Sequence, residues 1–160
     1  MKRMLALCMT LLIVTTGCQR SEPTATDLMA KLLSLPDTPS MTVYFEGAMP
    51  EDDGYLPIEE IGKLYVGQSP VELSDAFAIA LCRDDRVFEI HIFHSLDSEK
   101  AEQIENILRR RQTLLQKQEN YLYDPDNPGA GAAIWRQGKW VCLLVTTDND
   151  TAKKILRNAI

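Results

Sequence analysis

The sequence predicts an α+β domain: a four-stranded antiparallel sheet made of two hairpins joined by a long helix, ββαββα, with short helices ahead of it. Three observations predict it. From Leu73 onward apolar residues alternate with period two, Phe77, Ile79 and Leu81 against Ala76, Ala78, Ala80 and Cys82, and the alternation resumes from Val87 to His94 after the polar turn Arg83 to Arg86. A second alternating pair, Ala132 to Arg136 and Lys139 to Thr147, flanks Gln137-Gly138. Between the pairs, about Ser98 to Glu119 carries Ala101, Ile104, Ile107, Leu108, Leu114 and Leu115 as an apolar stripe at helical spacing. A sheet with one helix-covered face is the expected architecture.

The elements follow in order. Met1-Lys2-Arg3-Met4 places two cations ahead of an apolar run from Met4 to Val14 that is broken only by Thr10 and ends at Thr15-Thr16-Gly17-Cys18. A charged start, a short apolar centre and a small residue at the end are the parts of a secretory signal peptide. The run is too short for a bilayer span, which needs about 20 residues of helix. Cysteine directly after the small residue resembles a bacterial lipobox, so residues 1–17 are read as a lipoprotein signal peptide and Cys18 as the lipidation site. Two acyl chains, each buried CH₂ contributing about 0.8 kcal/mol, hold a protein on a membrane without any further segment. The chain from Cys18 to Thr26 lacks apolar periodicity and reads as a flexible tether, which leaves residues 27–160 as one globular domain.

Leu28, Met29, Leu32, Leu33 and Leu35 recur at helical spacing, with Thr24 or Thr26 able to cap the start and Pro36 helping to end the segment. Met41 to Glu46 has strand character with weak boundaries, and the acidic loop after it leads to a second short helix that begins at Pro57, with Glu59 and Glu60 in its first turn. In the long helix, acids crowd the N-terminal half and Arg109, Arg110, Arg111 and Lys117 the C-terminal half, as the helix dipole favours. Glu105 can pair with Arg109 one turn on, and the arginine run is read as a solvated face. Asp148 or Asn149 caps a last helix with Ala152, Ile155, Leu156 and Ala159 at i, i+3, i+4, i+7.

Three of these stretches together carry a resemblance: the Ala/Phe-rich strand leading to "VFEIHIFHS", the charged helix that ends in an aromatic and a proline, and "AAIWRQGKWVCLLVTTD". Behind a lipoprotein leader, this order is similar to the bacterial lipoprotein family catalogued as domain-of-unknown-function 4358, over about Leu73 to Ile160. The resemblance implies an exported, membrane-attached domain and brings no catalytic residues with it.

Totals narrow the function classes. With 45% hydrophobic residues, the chain can build a core. Its 23 acids against 17 bases give a formal net charge of −6, which argues against nucleic acid as a partner. His91 and His94 are the only histidines, and an offset of three sends them to opposite faces of a strand, where they cannot share a metal. Cys142 has no neighbouring base to activate it, and Cys82 and Cys142 are both read as small core hydrophobes. The loop from Tyr121 to Gly131 departs from the calcium-loop pattern, with Pro128 and Trp135 where ligands belong. No cofactor or metal is expected.

The sequence thus points to a noncatalytic binding module of the cell envelope, on the extracytoplasmic face of the membrane. Its partner would be an envelope protein, a peptide or a cell-wall component. The alternative is a small extracytoplasmic enzyme or metal-handling protein using His91, Cys142 and the loop acids. The sheet face expected to lie opposite the long helix carries Ala78, Ala80, His91, Phe93, Trp140 and Cys142, and is either covered by the first two helices or open to a partner. If it is covered, partner contacts fall to Tyr121, Tyr123 and Trp135, with Trp140 as the remaining candidate.

Overall fold

The computed structural model describes residues 22–66, 68–82, 88–117 and 131–160. Four helices, α1 (Ala25–Leu33), α2 (Ile58–Leu64), α3 (Ser98–Lys117) and α4 (Asn149–Ala159), surround five strands, β1 (Met41–Phe45), β2 (Ser74–Cys82), β3 (Glu89–Ser95), β4 (Ala133–Gln137) and β5 (Trp140–Val145). The sheet order is β1-β2-β3-β5-β4, and every neighbouring pair is antiparallel.

The two expected hairpins form and lie side by side through β3 and β5, but the sheet has five strands and not four. The fifth is β1, an outer strand that pairs along its whole length with β2, from Met41 opposite Cys82 to Phe45 opposite Ala78. All five of its residues are half-buried, so it lacks the in-and-out alternation that identifies a strand from its sequence. Its partner also lies beyond α2, too far along the chain for a hairpin signal.

Local chemistry sets the boundaries. Thr24 and Asp27 form a reciprocal capping box at the start of α1, each side chain accepting the other's backbone N–H at 3.0 and 3.2 Å. Asp148 caps α4 by accepting from the Thr151 N–H at 2.9 Å. The turn between β4 and β5 uses Gly138 at a φ of 57°, the sign that the first central position of a type II′ hairpin requires.

Both faces of the sheet are covered. On one, Leu28, Met29 and Leu32 of α1 and Ala152 and Leu156 of α4 pack against Ala78, Ala80, Ile90, Ile92, Cys142, Leu144 and both tryptophans. The thin alanine side of β2 lets α1 lie close, and each buried Leu or Met contributes roughly 1.5–3 kcal/mol. On the other face Ile104, Ile107, Leu108 and Leu115 of α3, with Ile61 and Tyr65 from the α2 end, cover Ile79, Phe93, Val141, Leu143 and Val145. The register also corrects the expected composition of the faces. Ala78 pairs with Ile92 and Ile79 with His91, so His91 and Phe93 belong under α3, while Ala78, Ala80, Trp140 and Cys142 lie under α1 and α4. No helix among the described residues is long and apolar enough to cross a membrane.

Candidate functional site

The α3 face of β3 carries Phe93 between polar neighbours: the period-two pattern turns Glu89 and His91 inward at its start and Ser95 at its end. Carboxylates are almost never buried without a partner, so Glu89 requires a cation. Arg111 supplies it from the middle of α3: Nη2 donates to Glu89 Oε1 and Nε donates to Oε2 at 3.1 Å, a two-pronged contact suited to a planar guanidinium. The third nitrogen, Nη1, reaches the Leu64 carbonyl at the end of α2 at 3.4 Å and so ties α2 to α3.

His91 is fully buried beside this pair. Its Nδ1 is 2.5 Å from the Tyr65 hydroxyl, and its Nε2 is 3.1 Å from Glu89 Oε2. The second contact is not aligned as a hydrogen bond, and Nε2 has no hydrogen-bond partner among the described residues. Burial raises the Tyr65 hydroxyl well above its usual titration range, with the Glu89 charge adding to the effect, so the phenol is neutral. Burial alone would also raise Glu89, but His91 and Arg111 together outweigh it and hold the carboxyl down at about 2. The cluster is therefore a buried polar network that joins α2, β3 and α3.

Immediately outside it lies a groove of about 390 Å³ between the α2 end and α3, floored by Tyr65 and Arg111 and edged by Val66, Gln68, Arg110, Thr113 and Leu114. Val66 is 76% exposed and Leu114 40%, both apolar. Val66 also has a φ of 59°, in the left-handed region that costs a residue with a Cβ roughly 1–2 kcal/mol. Backbone strain combined with an exposed apolar side chain directs attention to function. Arg110 donates from Nη2 to the Gln68 side-chain oxygen across the groove.

The residues singled out from the sequence are distributed differently. Cys18, Tyr121 and Tyr123 lie outside the described residues. Trp135 and Trp140 are only 8% and 3% exposed and pack under α1 and α4, so as folded neither offers a contact surface. The Trp140 Nε1 donor has no described partner, and its ring instead lies 4.6 Å from that of His94. His94 is on the opposite face from His91, as the offset of three requires, and pairs with Asp75 at 2.5 Å and Glu22 at 3.5 Å. His91 and Cys142 stand on opposite sides of the sheet. Among the described residues Cys82 and Cys142 are free thiols, and burial pushes the Cys142 thiol far up. Among the described residues no cluster of three or more His, Cys, Asp or Glu could hold a metal.

Of the arginine run, Arg109 pairs with Glu105 as expected, whereas Arg111 reaches Glu89, 22 positions away in the chain. The sequence signal for that contact was the acid itself, since Glu89 falls on the same side of β3 as Phe93. Nothing comparable marked Val66 or Leu114. No protein family, curated protein or solved structure matches the chain.

Proposed function

We propose that this chain is a noncatalytic binding module of the bacterial cell envelope, anchored by lipid on Cys18, whose partner site is the groove between the end of α2 and α3. The observation that carries the reading is the combination found there: exposed Val66 and Leu114 beside the Arg110 guanidinium, on a frame fixed by the Tyr65–His91–Glu89–Arg111 network. Apolar flanks with one oriented polar group are the ordinary makeup of a recognition site. The dispersal of His91 and Cys142 across the sheet supports binding over catalysis, because neither side chain has the other as a catalytic neighbour. The leader pattern through Cys18 and the short tether support anchoring on the extracytoplasmic side.

Two measurements on the full chain in cells test the reading. Replacing Leu114 with photoreactive benzoylphenylalanine is expected to crosslink the chain to a defined envelope component, while the same replacement of exposed Lys31 on α1 is not. Equal crosslinking from both positions, or none together with turnover on a hydrolase panel, would reverse the proposal. Cys18→Ala is expected to abolish labelling by an alkynyl fatty acid and to release the chain from membranes; continued labelling would refute the anchor.

A further inference from the structure

We infer that the groove captures the end of a polypeptide, the free α-carboxylate of a partner's last residue lying on Arg110 and that residue's apolar side chain entering between Val66 and Leu114. The inference rests on the binding-module reading and adds the chemistry of the ligand.

Charge selects the carboxylate. The chain as a whole is acidic, yet the groove is edged by two guanidiniums and, among the described residues, by no carboxylate. The charge of Arg111 is matched by Glu89 behind the groove, and that of the neighbouring Arg109 by Glu105. Arg110 has instead the neutral amide of Gln68, which orients its guanidinium and leaves its charge uncompensated by any described acid. An oriented guanidinium retains donors that match a carboxylate in its own plane.

Spacing selects the rest of the ligand. Leu114 follows Arg110 by one helical turn, which places their Cβ atoms about 5–6 Å apart on one side of α3. In the last residue of a peptide the carboxylate and the side chain branch from the same Cα, so a cation and an apolar wall that close together can take both at once. Val66, strained and exposed, forms the opposite wall. The volume of about 390 Å³ is near the lower limit for small-ligand clefts. It suits a chain end, whereas a docked helix about 10–12 Å across needs a longer row of anchors.

The test uses the ¹⁵N-labelled full chain in detergent micelles and three probes: acetyl-Gly-Gly-Leu with a free carboxylate, the same peptide as its C-terminal amide, and acetyl-Gly-Asp-Leu amide. The free acid is expected to shift the amide signals of Gln68, Thr113 and Leu114 at millimolar concentration or below, and both amides to bind about tenfold more weakly or worse, as the loss of a charge-assisted hydrogen bond implies. Arg110→Gln should equalise acid and amide without disturbing signals elsewhere, and Val66→Ser should weaken all three peptides while keeping their order. Equal binding of the plain amide would overturn the role of the carboxylate, and equal binding of the aspartyl amide would overturn the preference for a chain end. No shift at millimolar peptide would overturn the inference entirely. Crosslinking from Leu114 that persists beside a negative peptide titration leaves the binding-module reading standing and removes only this inference; failure of both removes both.

Discussion

Glu89 concentrates the electrostatics of this protein in one carboxylate. Its folded pKa of about 2 lies below the 4.5 of an unperturbed glutamate, so it stabilises the fold fully above pH 4.5 and progressively less as pH falls toward 2. A difference of that size corresponds to about 3 kcal/mol. Urea unfolding between pH 6 and 2 is therefore expected to show a stability decline over that window that is smaller by about 3 kcal/mol in Glu89→Gln. That variant should also be less stable at neutral pH by about 3 kcal/mol, because Arg111 is left without its counter-charge in a largely dry place. Adding Arg111→Met should recover part of the loss, since removing both charges is far less costly than stranding one. A Glu89→Gln variant with the wild-type acid profile would show that the carboxylate does not govern this titration.

At the level of elements, the alanine side of β2 decides how α1 sits. Ala78 and Ala80 are fully buried beneath it, so Ala80→Leu should force α1 off the sheet and cost about 1–3 kcal/mol in chemical denaturation. A change below a few tenths of a kcal/mol would mean that α1 is not closely docked. The same strand explains what the sequence could and could not reveal. The apolar patterns of β2, β3, β4 and β5 and the stripe on α3 identified those five elements directly, because residues packed on one covering face recur at the period of their element. The caps of α1 and α4 were legible because a cap is local, a side chain bonding a backbone N–H three positions on. Membership of β1 in the sheet was not, since each of its residues is only partly covered. The allocation of His91 and Phe93 to a face required the register between strands, which periodicity within one strand does not contain. For the same reason the groove was hidden: Val66 and Leu114 come together only through the packing of α2 on α3, and an exposed apolar residue looks in sequence like any other.

The whole molecule is a helix–sheet–helix sandwich, and Cys142 sits at its centre with no exposed surface, on β5 under α1 and α4. Its thiol can meet a reagent only when the sandwich opens, and its raised pKa keeps it protonated while closed. Labelling by a disulfide reagent is expected to be fast at half-buried Cys82 and to occur at Cys142 only on global unfolding, with a rate that rises with urea in step with the unfolding constant. Fast labelling of both thiols under native conditions would mean that the α1 layer opens by itself.

The contact of the Glu22 carboxylate with His94, at 3.5 Å, has a further geometric consequence. It brings the chain to the C-terminal end of β3 on the α1 side, whereas Arg111 meets Glu89 at the N-terminal end on the α3 side, five residues or about 17 Å along the strand. Under the anchoring proposed above, the six residues from Cys18 to Thr24 would reach no more than about 20 Å. The start of the described chain, at Glu22, and the groove thus occupy diagonally opposite corners of the body. On the anchor proposed for Cys18, such an arrangement would hold the near corner toward the lipid headgroups and turn the far one toward open water, leaving the groove accessible without contact with the bilayer.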